Sequence, residues 1–161
     1  MLEPNPCLYM GTKVILALRM TRQVYNDYRG WTLSADEDGS DAGYLVEYVD
    51  GGPRNDERHI GYISWSPKGV FDGHYHSATK GMSFGHALEA VKRGYRVARK
   101  GWNGKGMWLT LQVPDAHSKM TLPYVYLNYP TTSEFTPGAR VPWLASQTDM
   151  LADDWVLIPS V

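Results

Sequence analysis

The most regular alternation of apolar and polar positions in the chain runs through "MSFGHALEAVKRGYRV". Phe84, Ala87, Leu88 and Val91 recur at i, i+3, i+4 and i+7, which places one apolar stripe on a helix. Ser83 stands where an N-cap belongs and Gly94 just past the end, side chains that suit those two boundaries. After it the helical period gives way to strict alternation. In "YRVARK", Tyr95, Val97 and Arg99 share one face and Arg96, Ala98 and Lys100 the other; "MWLTLQV" sets Met107, Leu109, Leu111 and Val113 against Trp108, Thr110 and Gln112. These read as two strands, and "GWNGKG" between them reads as a β-hairpin connection. "YVYLNY" (124–129) and "DWVLI" (154–158) supply two more. In the intervening "VPWLASQTDMLADD", Ser146 and Asp149 have the spacing of a capping box, so a short helix starts there. No helix separates the first two strands, so the sheet is mostly antiparallel.

Upstream the pattern is shorter. "KVILAL" (13–18) reads as a strand, and "MTRQVYNDYRG" as a helix capped by Thr21 and stopped near Gly30. "EDGSDAG" is a turn. "YLVEYV" (44–49) and "GYISW" (61–65) are strands joined by the polar loop Asp50 to His59. Ser66-Pro67 predicts a helical turn with proline in its first position. The pattern breaks at "DGHYHSATKGM" (72–82), dividing the chain into a small α+β module over 1–80 and a second domain over 81–161. The expected class is α+β, with the second domain built as a helix packed on a mostly antiparallel sheet.

Composition narrows this reading. The 161 residues are 43% apolar and 20% charged, values of a globular protein that exclude disordered and collagen-like chains. No stretch approaches the roughly 20 apolar residues of a membrane span. Val14 to Leu18 is too short for a signal-peptide core, so a cytosolic protein is expected. The single Cys7 allows neither an intrachain disulfide nor a zinc cage by itself. A net charge of −1 argues against binding long nucleic acids, which requires a strongly basic surface. Yet Lys92, Arg93, Arg96, Arg99, Lys100 and Lys105 follow one another without an intervening acid. This cluster fits either a small anion or a solvated basic face.

Candidate chemistry lies more in aromatic rings than in acid–base pairs. Five histidines, His59, His74, His76, His86 and His117, are scattered, and no hydrolase, nucleotide-triphosphate or zinc-protease motif is present. Asp72, His74 and His76 lie close together without a matching fourth ligand, so no metal and no cofactor is expected. The aromatic count is tilted instead, with six Trp and eleven Tyr against three Phe. Rings with a polar handle favour half-wet surfaces such as pockets and interfaces. Trp102, Trp108 and Trp143 sit close to glycine or proline, and short polar groups accompany them: Asn103, Lys105, Ser146, Gln147, Thr148 and Asp149. Such a set can stack a base and address hydroxyls and phosphates; filling a core or a subunit contact is the alternative use of the same rings. A helix and four short strands in about 80 residues bury little core, which favours a homo-oligomer.

"MSFGHALEAVKRGYRVARKGWNGKGMWLTLQ", "YVYLNYP" and "VPWLASQTDMLADDWVLI" together resemble the phage-encoded Thoeris anti-defence proteins of the second type, in the same order across residues 82–158. Residues 12–80 resemble an N-terminal extension that accompanies this domain in some phage and prophage proteins. The resemblance implies a sponge acting in the cytoplasm of the host bacterium. Members hold glycocyclic ADP-ribose, a messenger of bacterial TIR-domain sensors, without cleaving it, and some bind cyclic dinucleotides at a separate site. It also implies a homotetramer with pockets at subunit contacts. Carried over by motif, Trp102 and Trp143 are expected as stacking walls and Asn103 as a polar contact. Ser146, Thr148 and Asp149 are expected on ribose or adenine, with Ser146 and Asp149 shared with their helix cap. Lys105 and Arg99 are the phosphate candidates, and Met107 lines pocket or core. Two other readings stand beside this one: an enzyme hydrolysing a similar nucleotide, and a protein-interaction module of phage assembly with no nucleotide ligand.

Overall fold

Two antiparallel sheets, each carrying helices, make the α+β architecture that the alternation and helical stripe predict. The computed structural model describes residues 11–134 and 136–159; Cys7 lies outside them. The chain forms two compact units, the first running to Tyr75 and the second starting at His76.

In the first unit the elements are β1 (Leu16–Thr21), α1 (Arg22–Arg29), β2 (Ala42–Tyr48), β3 (Tyr62–Pro67) and α2 (Lys68–His74), with strand order β1-β2-β3. The helix α1 is bounded as its sequence predicts. Thr21 accepts a hydrogen bond from the Val24 N–H at 3.3 Å, and Gly30 closes the last turn at φ +69°. The first strand starts later than "KVILAL" suggests. Its partner β2 ends at Tyr48, one residue past the Glu47 that faces Leu16, so in this register Lys13 and Val14 have no β2 residue opposite them. Pro67 is the last residue of β3 and the N-cap of α2, one position earlier than the proline-first reading places it, and no side chain caps this helix. On an edge strand the absent proline N–H removes no ladder bond that a neighbour needed.

Tyr25, Leu45 and Ile63 form the core beneath α1, with Met20, Tyr28 and Trp65 packed around them. Beside it Glu47 is buried and fully used. Oε1 accepts from the Ile60 and Gly61 amides at 2.8 and 3.0 Å, and Oε2 accepts from His59 Nδ1 at 2.9 Å. These bonds, the His59 contact first, hold the Glu47 carboxyl below its ordinary value. The Tyr28 hydroxyl donates to His59 Nε2 at 2.8 Å, tying α1 to the loop between β2 and β3.

The second unit contains α3 (Phe84–Lys92), β4 (Arg96–Arg99), β5 (Trp108–Gln112), β6 (Tyr124–Asn128), β7 (Arg140–Pro142), α4 (Gln147–Met150) and β8 (Trp155–Ile158). Its strands are all antiparallel, in the order β7-β6-β5-β4-β8. Of the predicted stripe, α3 buries Ala87 and Val91 and packs half-buried Phe84 against the core that holds Met82, Val97, Leu109 and Trp155; Leu88 is only half-buried, and Ala90 is buried in the same helix. Full burial of Val97 or Leu109 contributes about 1.5–3 kcal/mol each. Gly94 reverses the chain at φ +88°. Ser83 has the backbone of an N-cap, but its hydroxyl engages His86 Nδ1 at 2.8 Å and leaves the helix amides uncapped by a side chain. The imidazole three residues on competes for the only oxygen available.

Two features place the site. The last strand returns to pair with β4, with Trp155 opposite Arg99, which brings Asp154 beside the β4–β5 connection. The outer edge of β8 is covered by the segment leading into α3, through paired bonds between Met82 and Trp155 and a bond from the Leu157 amide to the Ala78 carbonyl. Among the described residues no helix is long and apolar enough to cross a membrane.

Candidate functional site

The aromatic surface of the β4–β5 connection is spent inward. Trp102 turns back onto Trp155, their ring centroids 5.4 Å apart and their planes at 77°; Trp143, just past β7, meets Trp155 at 6.0 Å and 82°. Trp155 is completely buried and forms the floor of this group, while Trp102 and Trp143 stay half-buried around it, with Phe84 against both Trp143 and Trp155. Trp102 and Trp143 lie 6.4 Å apart with planes tilted by 58°. Sandwiching a planar base needs near-parallel faces roughly 7 Å apart, twice the contact distance between carbons. Within one chain these two rings therefore form no parallel-walled slot for a base.

One carboxylate organises the group. Asp149 is buried; its Oδ1 accepts from Trp102 Nε1 at 3.0 Å and from Arg99 Nη1 at 2.9 Å, and its Oδ2 accepts from the Ser146 hydroxyl at 2.6 Å and amide at 3.3 Å. The Ser146 hydroxyl returns a bond from the Asp149 amide, which completes the capping box that the sequence spacing predicts. Burial pushes the Asp149 carboxyl up, but the bonds from Ser146, Trp102 and Arg99 outweigh it and hold the carboxyl at about 2. Trp155 Nε1 bonds the Asp149 carbonyl at 3.0 Å, so the floor of the group is fixed to the same residue.

A second carboxylate completes the frame. Asp154 accepts from Arg99 Nε at 2.7 Å and from the Gly101 amide at 2.6 Å. The loop that carries Trp102 is thus anchored at its entry by β8 and at its indole by α4. Arg99, bonded to Asp154 and Asp149, is held more firmly protonated than usual by those two partners. Through these two carboxylates Arg99 cross-links β4 to α4 and to the residue that precedes β8.

The remaining expected residues divide clearly. Asn103 and Lys105 are exposed on the loop, Lys105 Nζ lying 3.4 Å from the Trp102 carbonyl. Ser146, Gln147 and Thr148 are exposed at the start of α4, with the Thr148 hydroxyl 2.9 Å from that of Ser146. Met107 folds against Gly104 within the loop. Trp108 is not brought to the cluster. It lies on the face of β5 opposite buried Leu109, with the Arg96 guanidinium 5.4 Å from its ring centroid. Two clefts of about 490 and 190 Å³ open elsewhere in this unit. The first is lined by Gln112, Asp115, His117, Met120 and Tyr124 among others, the second by Tyr126 and Arg140 among others; no expected site residue lines either.

Asp72, His74 and His76 have separate engagements: Asp72 with Lys68 and Tyr44, His74 with the Val70 carbonyl, and His76 with the ring of His86 at 4.9 Å. Sequence reasoning overlooked Asp154 and the site role of Trp155, reading "DWVLI" as strand alone. The signal available was an acid next to the one tryptophan that alternation turns towards the helix stripe.

A family model described as the Thoeris anti-defense 2-like domain matches residues 82–158. Thoeris anti-defense 2 from Bacillus phage SP01 is 42% identical over 84 residues, an alignment spanning 48% of this chain and 94% of that protein. The family match falls inside the second unit and includes every residue of the tryptophan cluster and its carboxylate frame.

Proposed function

The chain belongs to the Thoeris anti-defense 2 family, and from that membership, which carries an anti-defence role, we propose that it sequesters a cyclic nucleotide signal of the glycocyclic ADP-ribose type by tight binding without chemistry. The work takes place in the cytoplasm of an infected bacterium, for a phage or a prophage. Cyclic dinucleotides are a second ligand class of the same proposal.

The observation that carries this reading is the Asp149 bond to the Trp102 indole. A ring held by its Nε1 and packed against Trp155 is fixed in its plane, so stacking on it does not first have to order a loose side chain. Stacking one base on such a face contributes about 1–3 kcal/mol. Exposed Lys105 and Asn103 on the loop, and exposed Thr148 and Gln147 at the start of α4, are the groups assigned to phosphate and hydroxyl contacts in this reading. A charge-assisted bond to phosphate adds about 1.5–3 kcal/mol. One stack and one such bond fall short of the roughly −12 kcal/mol of nanomolar capture. The tilt of Trp102 and Trp143 leaves one face of a bound base uncovered, and a neighbouring copy in a homo-oligomer, expected as a tetramer, supplies the missing contact.

Sequestration is stoichiometric, and that is its test. Titration calorimetry with glycocyclic ADP-ribose should saturate at a fixed ratio of ligand to subunit, and heating the complex should return the ligand chemically intact. Disappearance of ligand in large excess over protein is turnover and overturns the reading. Absence of heat for glycocyclic ADP-ribose and cyclic dinucleotides alike overturns the ligand class.

A further inference from the structure

The four sheet edges of the molecule are not treated alike. On β8 the outer edge is occupied by residues 78–82. The β7 edge is three residues long and ends in Pro142, a blunt edge of the kind that resists pairing. On β3, Asn55 imitates a strand with its side chain, Nδ2 donating to the Ile63 carbonyl at 2.9 Å and Oδ1 accepting from the Ile63 amide at 2.8 Å. Among the described residues β1 is the edge that carries no such cover. Among the described residues no backbone group outside β2 bonds Leu16 to Met20. Leu16 and Leu18, 58% and 61% exposed, stand on the same face as buried Leu45, beyond the cover of α1.

We propose that β1 is a dimerisation strand, pairing antiparallel with β1 of a second copy of this chain so that two three-stranded sheets become one. The strand's own sequence sets the register. Pairing about a two-fold axis perpendicular to the sheet keeps each face on its own side, so Leu16, Leu18 and Met20 meet only one another and Ala17, Arg19 and Thr21 only one another. With Leu18 opposite Leu18 of the partner subunit, the ladder runs from Leu16 to Met20; Leu16 faces Met20 and Ala17 faces Arg19. Sliding one step towards the C-terminus sets Arg19 against Arg19, and like charges directly opposite destabilise a ladder. Sliding one step the other way keeps only Leu16 to Leu18 in the pairing. One register therefore joins the longest ladder to an apolar face without opposed charge. It covers both exposed leucines, and it belongs to the first unit alone, independent of any nucleotide the second unit holds.

The experiment is disulfide trapping in the full chain. In a Cys7→Ser background, Leu18→Cys places two thiols on directly opposed positions, where Cβ atoms lie about 4.5–5.5 Å apart, near the reach of a disulfide. Val24→Cys, on α1 and 50% exposed, reports collision alone. Under mild oxidation at low micromolar protein, the Leu18→Cys variant should link its subunits at least ten-fold faster than the Val24→Cys variant. Amide exchange gives the second arm. The β1 amides that point away from β2 should exchange slowly in the parent and at least ten-fold faster in Leu18→Lys, whose added charge sits on an already exposed position. Equal linking rates for the two thiol variants, or equal exchange in parent and Leu18→Lys, overturn the proposal.

Discussion

A single side chain, Asp149, serves two ends at once. It starts a helix through Ser146 and orients an indole through Trp102, and the Arg99 guanidinium neutralises it. Asn at this position keeps an acceptor for the indole but removes the charge that Arg99 faces. We expect Asp149→Asn to lose about 1–3 kcal/mol of stability in urea titrations near neutral pH. The pH dependence has a definite sign. The carboxyl is held at about 2, below its ordinary 3.8, so its contribution is complete above roughly pH 5 and disappears as pH falls towards 2. Over that window the stability gap between the parent and Asp149→Asn should close. A gap of constant size from pH 6 to pH 2 contradicts the role given to the carboxylate. The double duty of Asp149 was half legible in the sequence: the three-residue spacing from Ser146 is local, but the Trp102 bond joins residues 47 positions apart and has no local signature.

At the scale of elements, what could be read were the features whose cause lies within a few residues. The α3 stripe, the Thr21 and Gly30 boundaries of α1 and the capping box of α4 are of this kind. What could not be read depends on a distant partner. The start of β1 is set by where β2 turns away, β7 is three exposed residues with no periodicity, and the placement of β8 beside β4 is a matter of topology. The Ser83 hydroxyl shows a local rule losing to a local competitor, His86. Element boundaries also have measurable weights. With only four residues, α4 depends on its cap, so Ser146→Ala should cost about 1 kcal/mol in urea titrations. Gly94→Ala forces a Cβ into φ +88° and should cost about 1–2 kcal/mol. Ser146→Ala alone should also shift the 15N–1H resonance of the Trp102 indole, because Ser146 is bonded to the carboxylate that holds it. An unmoved resonance breaks the link between cap and ring.

The molecule as a whole joins two units with separate cores, and the family model matches within the second of them. Since every candidate site residue belongs to that unit, a lesion in the first core should spare ligand capture. Ile63→Ala empties a position at the centre of the first core and should cost about 2–5 kcal/mol. Calorimetry should find the ligand affinity of this variant within a factor of two of the parent. A larger loss assigns the first unit a share in the site. The amide of Asn55, seated on the far rim of the first sheet, has its own consequence for growth. A sheet with one joinable rim can only close into couples, whereas a sheet with two can be extended without end. By engaging the Ile63 amide and carbonyl with one side chain, Asn55 removes from that rim a pair of backbone groups that a further strand would need for joining it.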